Sequence, residues 1–132
     1  MVRRAGVAVA AALSLVIPGA ALAGAVNLRF VHRDEDGVVQ RATLTCVAEG
    51  PSATGYLARR DGAKLCRRAY ALERFLGRDP GRDRVCTQVY GGPDRVRVRG
   101  NVRGTGVDRL FAQRDGCEIA DWERATLLLP RR

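Results

Sequence analysis

The sequence predicts an α+β domain: an antiparallel five-stranded sheet with one main helix, a second short helix more weakly signalled, and two disulfides. Three observations point there. Apolar residues alternate with polar ones in short segments separated by glycine-bearing turns, the pattern of half-buried strands. A single stretch, Leu65, Ala69, Leu72 and Leu76, repeats instead at helical spacing. Four cysteines, Cys46, Cys66, Cys86 and Cys117, lie in what is one small domain's worth of chain, a size that benefits from staples.

The chain opens Met1-Val2-Arg3-Arg4, continues with an apolar run from Ala5 to Ile17, and reaches Ala21-Leu22-Ala23 after Pro18-Gly19. A basic start, an apolar stretch short for a bilayer and small residues at its end describe a secretory signal peptide over residues 1–23. Cleavage is expected after Ala23, with Ala25 the second choice. This leaves residues 24–132 as one secreted, extracellular domain with no membrane attachment.

Asn27 to His32 alternates Leu28 and Phe30 with polar neighbours and reads as a strand. Arg33-Asp34-Glu35-Asp36-Gly37 is a charged turn, and Val38 to Val47 follows as a second strand of the same hairpin. Glu49 to Gly55, rich in small residues, reads as loop. Asp61 is the expected N-cap of the main helix, whose buried face carries Leu65, Ala69, Leu72 and Leu76. Gly77 and then Asp79-Pro80-Gly81 end it. Asp94 to Val102 alternates Val96 and Val98 with arginines, and Val107 to Gln113 returns after the turn Arg103-Gly104-Thr105-Gly106. Ala125 to Leu129 is apolar and is expected to be the last strand. The weaker helix lies near Ile119 to Arg124.

The cysteines read as disulfides of an oxidising compartment. A zinc site is the competing reading, but there is no Cys-x-x-Cys pair and His32 is the only histidine, so neither metal nor cofactor is expected. Four cysteines allow three pairings, and the residues alone leave that choice open.

Enzyme classes fail on inventory. A Ser-His-acid triad would have to unite His32 with Ser52, one expected in an edge strand and the other in a loop, both exposed. Asp34, Glu35 and Asp36 crowd a turn tip rather than a desolvated cleft. The formal charge is +9 and almost all of it is arginine, Lys64 being the only lysine. Those arginines occur in every segment, with no tyrosines interleaved to stack on bases, so they read as solvated surface and no nucleic-acid partner is expected.

One uncharged segment remains, Val85-Cys86-Thr87-Gln88-Val89-Tyr90-Gly91-Gly92-Pro93. A cysteine at the base of a stretch that favours extended backbone is what a substrate-like inhibitor loop requires. Together with Thr43-Leu44-Thr45-Cys46, Leu65-Cys66, Val98-Arg99-Gly100-Asn101-Val102-Arg103-Gly104 and Cys117-Glu118-Ile119, it resembles the Streptomyces subtilisin inhibitor family over most of the mature length. The resemblance implies the pairings Cys46–Cys66 and Cys86–Cys117, a homodimer, and a reactive bond between Gln88 and Val89. It also implies that Thr87, Tyr90 and Asp115 support the loop, and that the partner is an extracellular subtilisin-like serine protease.

The chain departs from that pattern in three places. Gly91-Gly92-Pro93 is one residue longer than the family's usual segment, and its two glycines predict a looser loop. Val102 replaces a tryptophan. The first cysteine loop is extended through Arg59, Arg60 and Asp61. A second functional reading is a secreted basic binding module of the same fold, without inhibitory activity, attached to anionic cell-wall polymer through its arginines.

Overall fold

The computed structural model describes residues 24–131; the expected signal peptide, residues 1–23, lies outside them. Strands β1 (Val26–Arg33), β2 (Val39–Val47), β3 (Gly50–Ala53), β4 (Arg95–Val102) and β5 (Thr105–Phe111) form one antiparallel sheet in the order β3-β2-β1-β4-β5. Helices α1 (Gly62–Ala71), α2 (Glu73–Gly77) and α3 (Gly116–Ala125) bury their apolar residues against one face. Because β1 is central, its inward residues Val26, Leu28 and Phe30 are sealed from solvent on both flanks. Leu57, Leu65, Ala69, Leu72, Leu76, Trp122 and Leu128 close over them.

The α+β class and the pairings Cys46–Cys66 and Cys86–Cys117 are as expected. By loop entropy alone each bond disfavours the unfolded chain by about 3 kcal/mol. Asp61 caps α1, accepting from the Lys64 amide at 3.0 Å.

Four elements differ from the sequence reading. The helical run splits at Leu72, which ends α1 and begins α2. The buried stripe nevertheless continues through Leu72 and Leu76, and the break sends Glu73 to the β4–β5 turn, where its carboxylate accepts from Thr105 Oγ1 at 2.7 Å and from Arg103. The fifth strand is β3, not Ala125–Leu129. Its Pro51 is tolerated because β3 is an edge, where the missing N–H faces no partner. Ala125 ends α3, and the chain then tightens through i→i−3 bonds such as Leu128 N–H to Ala125 C=O at 2.8 Å, burying Leu128 and Leu129 without a ladder. The second helix is longer than expected, ten residues capped by Asp115.

His32 is neither exposed nor on an edge. It faces inward from the central strand, buried, with Nε2 3.0 Å from Asp94 Oδ1. Ser52, paired with Thr45 of β2, lies on the opposite face of the sheet. The two residues a triad would need are thus separated by the sheet itself.

The β4–β5 turn is made by Arg103 and Gly104, both at positive φ (49° and 86°), the two-residue turn whose twist suits a hairpin. Gly100 is a different case. At φ +140°, a Cβ there would sit 1.9 Å from the Asn27 carbonyl oxygen, so β1 and β4 can close only over a glycine. Gly100→Ala should destabilise the fold by about 3 kcal/mol, read from the urea midpoint. Gly106→Ala, where nothing lies within 4 Å, should change it little. Equal effects of the two would refute the close-approach account.

Candidate functional site

The segment from Gly81 to Tyr90 crosses the surface without regular structure, and every residue except the half-buried Cys86 is exposed. Val89 and Tyr90 are 56% and 65% exposed, which for apolar and aromatic side chains on a small protein calls for an explanation. Exposure here does not mean an untethered chain. Apart from a local bond from the Gly81 amide to Asp79 Oδ1 at 3.1 Å, the restraints that hold the segment come from residues 113–121, the start of α3 and the chain leading into it.

The first restraint is the Cys86–Cys117 disulfide, from the second residue of α3. Next to it, the Gly116 amide donates to the Thr87 carbonyl at 2.9 Å. Further along, the Gly91 amide donates to the Gln113 carbonyl at 2.7 Å. Upstream, Arg84 reaches Asp121 of α3 at 2.9 Å. Between the Thr87 and Gly91 anchors, the backbone groups of Gln88, Val89 and Tyr90 have no partner among the described residues. A short exposed stretch is therefore fixed at both ends while its own backbone donors and acceptors stay unpaired among the described residues.

Two glycines make this approach possible. A Cβ on Gly116 would lie 2.0 Å from Thr87 Oγ1, and one on Gly91 would meet the Ile119 side chain at 2.9 Å and Gln113 Oε1 at 3.1 Å. Gly91, expected from sequence to loosen the loop, instead lets it dock on α3. Only Gly92, at φ +135° with open space around it, keeps the expected backbone role.

Asp115 stands at the base of the loop, but its carboxylate caps α3, Oδ1 accepting from the Glu118 amide at 2.9 Å. The bond to the loop comes from its neighbour Gly116. Glu118 answers in the other direction, accepting from the Arg114 amide at 2.8 Å and from the Arg114 guanidinium. Those bonds from Arg114 hold the Glu118 carboxyl below the usual range and fix the chain beside Gln113.

Behind the helix, Arg109 of β5 is buried and lies over the Phe75 ring, 3.9 Å from its centre. It pairs with Asp121 at 2.9 Å and donates to the carbonyls of Phe75 and Arg78. Burial pulls its pKa below the ordinary guanidinium value, and Asp121 opposes that shift. Asp121 thus joins the sheet to α3 through Arg109 and the loop to α3 through Arg84.

Sequence reasoning placed Gln88, Val89, Thr87, Tyr90 and Asp115 in one region, and the structure places all five around the Cys86–Cys117 bridge. It missed Arg84, Gln113, Gly116 and Asp121, which carry the restraints. A charged residue at an inward position between Val107 and Phe111 was the one available signal, pointing to Arg109. The sulfurs of Cys86 and Cys117 lie with Asp115 within 4.8 Å of one another. They are bonded to each other and offer no thiolate, so this cluster is not a metal centre.

No protein-family model matches the chain, and no curated protein matches it.

The Gly116 contact can be checked directly. Gly116→Ala should displace Thr87, speed amide exchange at residues 116 and 91 severalfold, and lower stability by about 1–3 kcal/mol through overpacking. Adding Thr87→Ala removes the opposing hydroxyl and should recover most of that loss. Unchanged exchange in Gly116→Ala would mean that this approach does not hold the loop.

Proposed function

We propose that the protein is a secreted inhibitor of subtilisin-like serine proteases, acting by substrate-like insertion of residues Thr87 to Tyr90. The observation that carries this reading is the exposed stretch Gln88-Val89-Tyr90, held at both ends with its backbone groups unpaired. A protease cleft binds its substrate as an added extended strand, so it needs those groups free and the chain straight. The Thr87 and Gly91 anchors restrain the stretch in advance. Each residue ordered beforehand avoids a loss of about 1–2 kcal/mol on binding.

Gln88 then fills the primary specificity pocket and Val89 follows the scissile bond. Attack by the protease serine on the Gln88 carbonyl would release the Val89 amine. The Cys86–Cys117 bridge retains one new end, and the Gly91–Gln113 bond retains the other. The amine remains beside the acyl carbonyl, resealing competes with hydrolysis, and the complex persists.

Two disulfides suit an oxidising, extracellular compartment, and no described helix is long and apolar enough to cross a membrane. An uncharged Gln88 does not suit trypsin-like pockets, whose buried acid selects Arg or Lys. Broad, mostly apolar subtilisin-like pockets fit it better.

Titrating subtilisin with the oxidised protein should abolish activity at stoichiometric ratio, and mass spectrometry should find slow or no scission between Gln88 and Val89. Rapid scission without inhibition, or no interaction, would overturn the proposal. Gln88→Lys tests the register: the variant should gain inhibition of trypsin. A folded variant that leaves trypsin untouched would place the reactive bond elsewhere.

A further inference from the structure

Arginines occur on every side of the fold, but those of the central strands gather on one face. On the sheet face turned away from the helices, Arg29 stands opposite Arg99 and Arg33 opposite Arg95 across the β1–β4 ladder. Val31, between them, is flanked by Arg41 of β2 and Arg97 of β4. All six guanidinium-bearing positions are exposed or half-buried. The one acid within the patch is Asp108, which takes Arg97 at 2.5 Å and Arg99 at 3.2 Å. Asp34, Glu35 and Asp36 border the end at Arg33 and Arg95, which leaves Arg29, Arg41, Arg97 and Arg99 as a strip of cations answered by the single carboxylate of Asp108.

This arrangement works against folding. Like charges directly opposite one another in a ladder are destabilising, and here two such pairs share one face with Val31 and Arg97 between them. A polyanion laid across the strip would turn that repulsion into attraction. Alternate residues repeat at roughly 7 Å along a strand and neighbouring strands lie about 5 Å apart, which spaces the guanidinium groups for successive phosphates.

The rest of the face narrows the occupant. It carries no aromatic side chain, so it offers no platform for stacking bases. Its apolar side chains around the strip are Val31, Leu110 and the half-buried Val39, set among arginines and too few to enter a bilayer. A second copy stacked on it would set arginine against arginine, with only Asp108 to answer. We propose that the outer face of the sheet, centred on Arg29, Arg41, Arg97 and Arg99, is a docking surface for a linear phosphodiester polymer without bases, of the polyol-phosphate type. This surface does not depend on the protease reading, since no residue of the 84–91 segment takes part.

The test uses the oxidised protein and labelled poly(glycerol phosphate), followed by fluorescence anisotropy. Binding should weaken roughly a hundredfold from about 50 to about 200 mM salt if about four phosphates are engaged. The triple variant Arg29→Gln, Arg41→Gln, Arg99→Gln should lose about tenfold or more in affinity and show a shallower salt dependence. Arg59→Gln, Arg67→Gln, Arg74→Gln removes equal charge from exposed positions on the helical side and should change affinity by no more than about twofold if the patch is specific. Circular dichroism establishes that both variants fold. Equal losses in the two triples would reduce the effect to net charge and overturn the proposal. So would single-stranded DNA or anionic-lipid vesicles binding about tenfold more tightly at matched phosphate, or a dimer that the Arg29 triple alone dissociates in sedimentation.

Discussion

The burial of one guanidinium organises the molecule. A cation placed inside a protein is tolerated only when its charge is answered and most of its donors are met, and of the Arg109 guanidinium nitrogens Nε alone has no partner among the described residues. Arg109 therefore draws four parts of the chain to itself: the Phe75 and Phe111 rings, the carbonyls of Phe75 and Arg78, and the Asp121 carboxylate. Since Arg109 belongs to β5 and Asp121 to α3, this single requirement fixes the helix against the sheet. The exposed segment at residues 84–91 is then held by that helix and the chain leading into it. A polar constraint in the interior is thus transmitted outward, through the helix, to a surface segment with no regular structure of its own.

Glycine has the opposite of its usual meaning along that path. At Gly91 and Gly116 the absence of a side chain lets two backbones meet within hydrogen-bond distance. The result is a loss of freedom rather than a gain. On the proposed reading, a loop restrained in this way would bind as a preformed shape, which is what separates an inhibitor from a substrate.

Much of the fold was legible in the sequence for local reasons. Alternation marked β1, β2, β4 and β5, Asp61 marked the start of α1, and the four cysteines marked the staples, with their pairing supplied by resemblance. What stayed hidden depends on distant partners. Gly50–Ala53 carries no strand pattern, because an edge strand of four residues with a proline takes its form from Leu44 to Val47 beside it. The apolar run after Ala125 looks like a strand, since periodicity cannot distinguish burial in a sheet from burial under a tight turn. His32 was misplaced because nothing in its own segment says that β1 has a neighbour on both sides. The loop restraints escaped for a further reason: they are backbone amides and carbonyls, which every sequence contains. The clustering of arginines was half visible, in the Arg95, Arg97, Arg99 alternation of β4, but joining them to Arg29 and Arg41 needs the register of the whole sheet.

The placement of the disulfides divides the chain in a way the sheet does not. Cys46–Cys66 closes within the segment that makes β1, β2, β3 and α1, and Cys86–Cys117 within the segment that makes β4, β5 and α3. No covalent cross-link spans the two, and the ladder that unites them is β1 against β4, whose paired residues are some sixty to seventy-five positions apart in the chain. Cys46–Cys66 lies inside the β1–β4 loop and shortens it by some twenty residues. That lowers the closure entropy of the central pairing only slightly, because the cost grows with the logarithm of loop length, so the slow search in folding is for β1 to find β4. The join between the halves runs over the exposed residues 78–83. A single backbone cut there would leave two internally bridged pieces, kept together by the ladder, the shared core and Arg109.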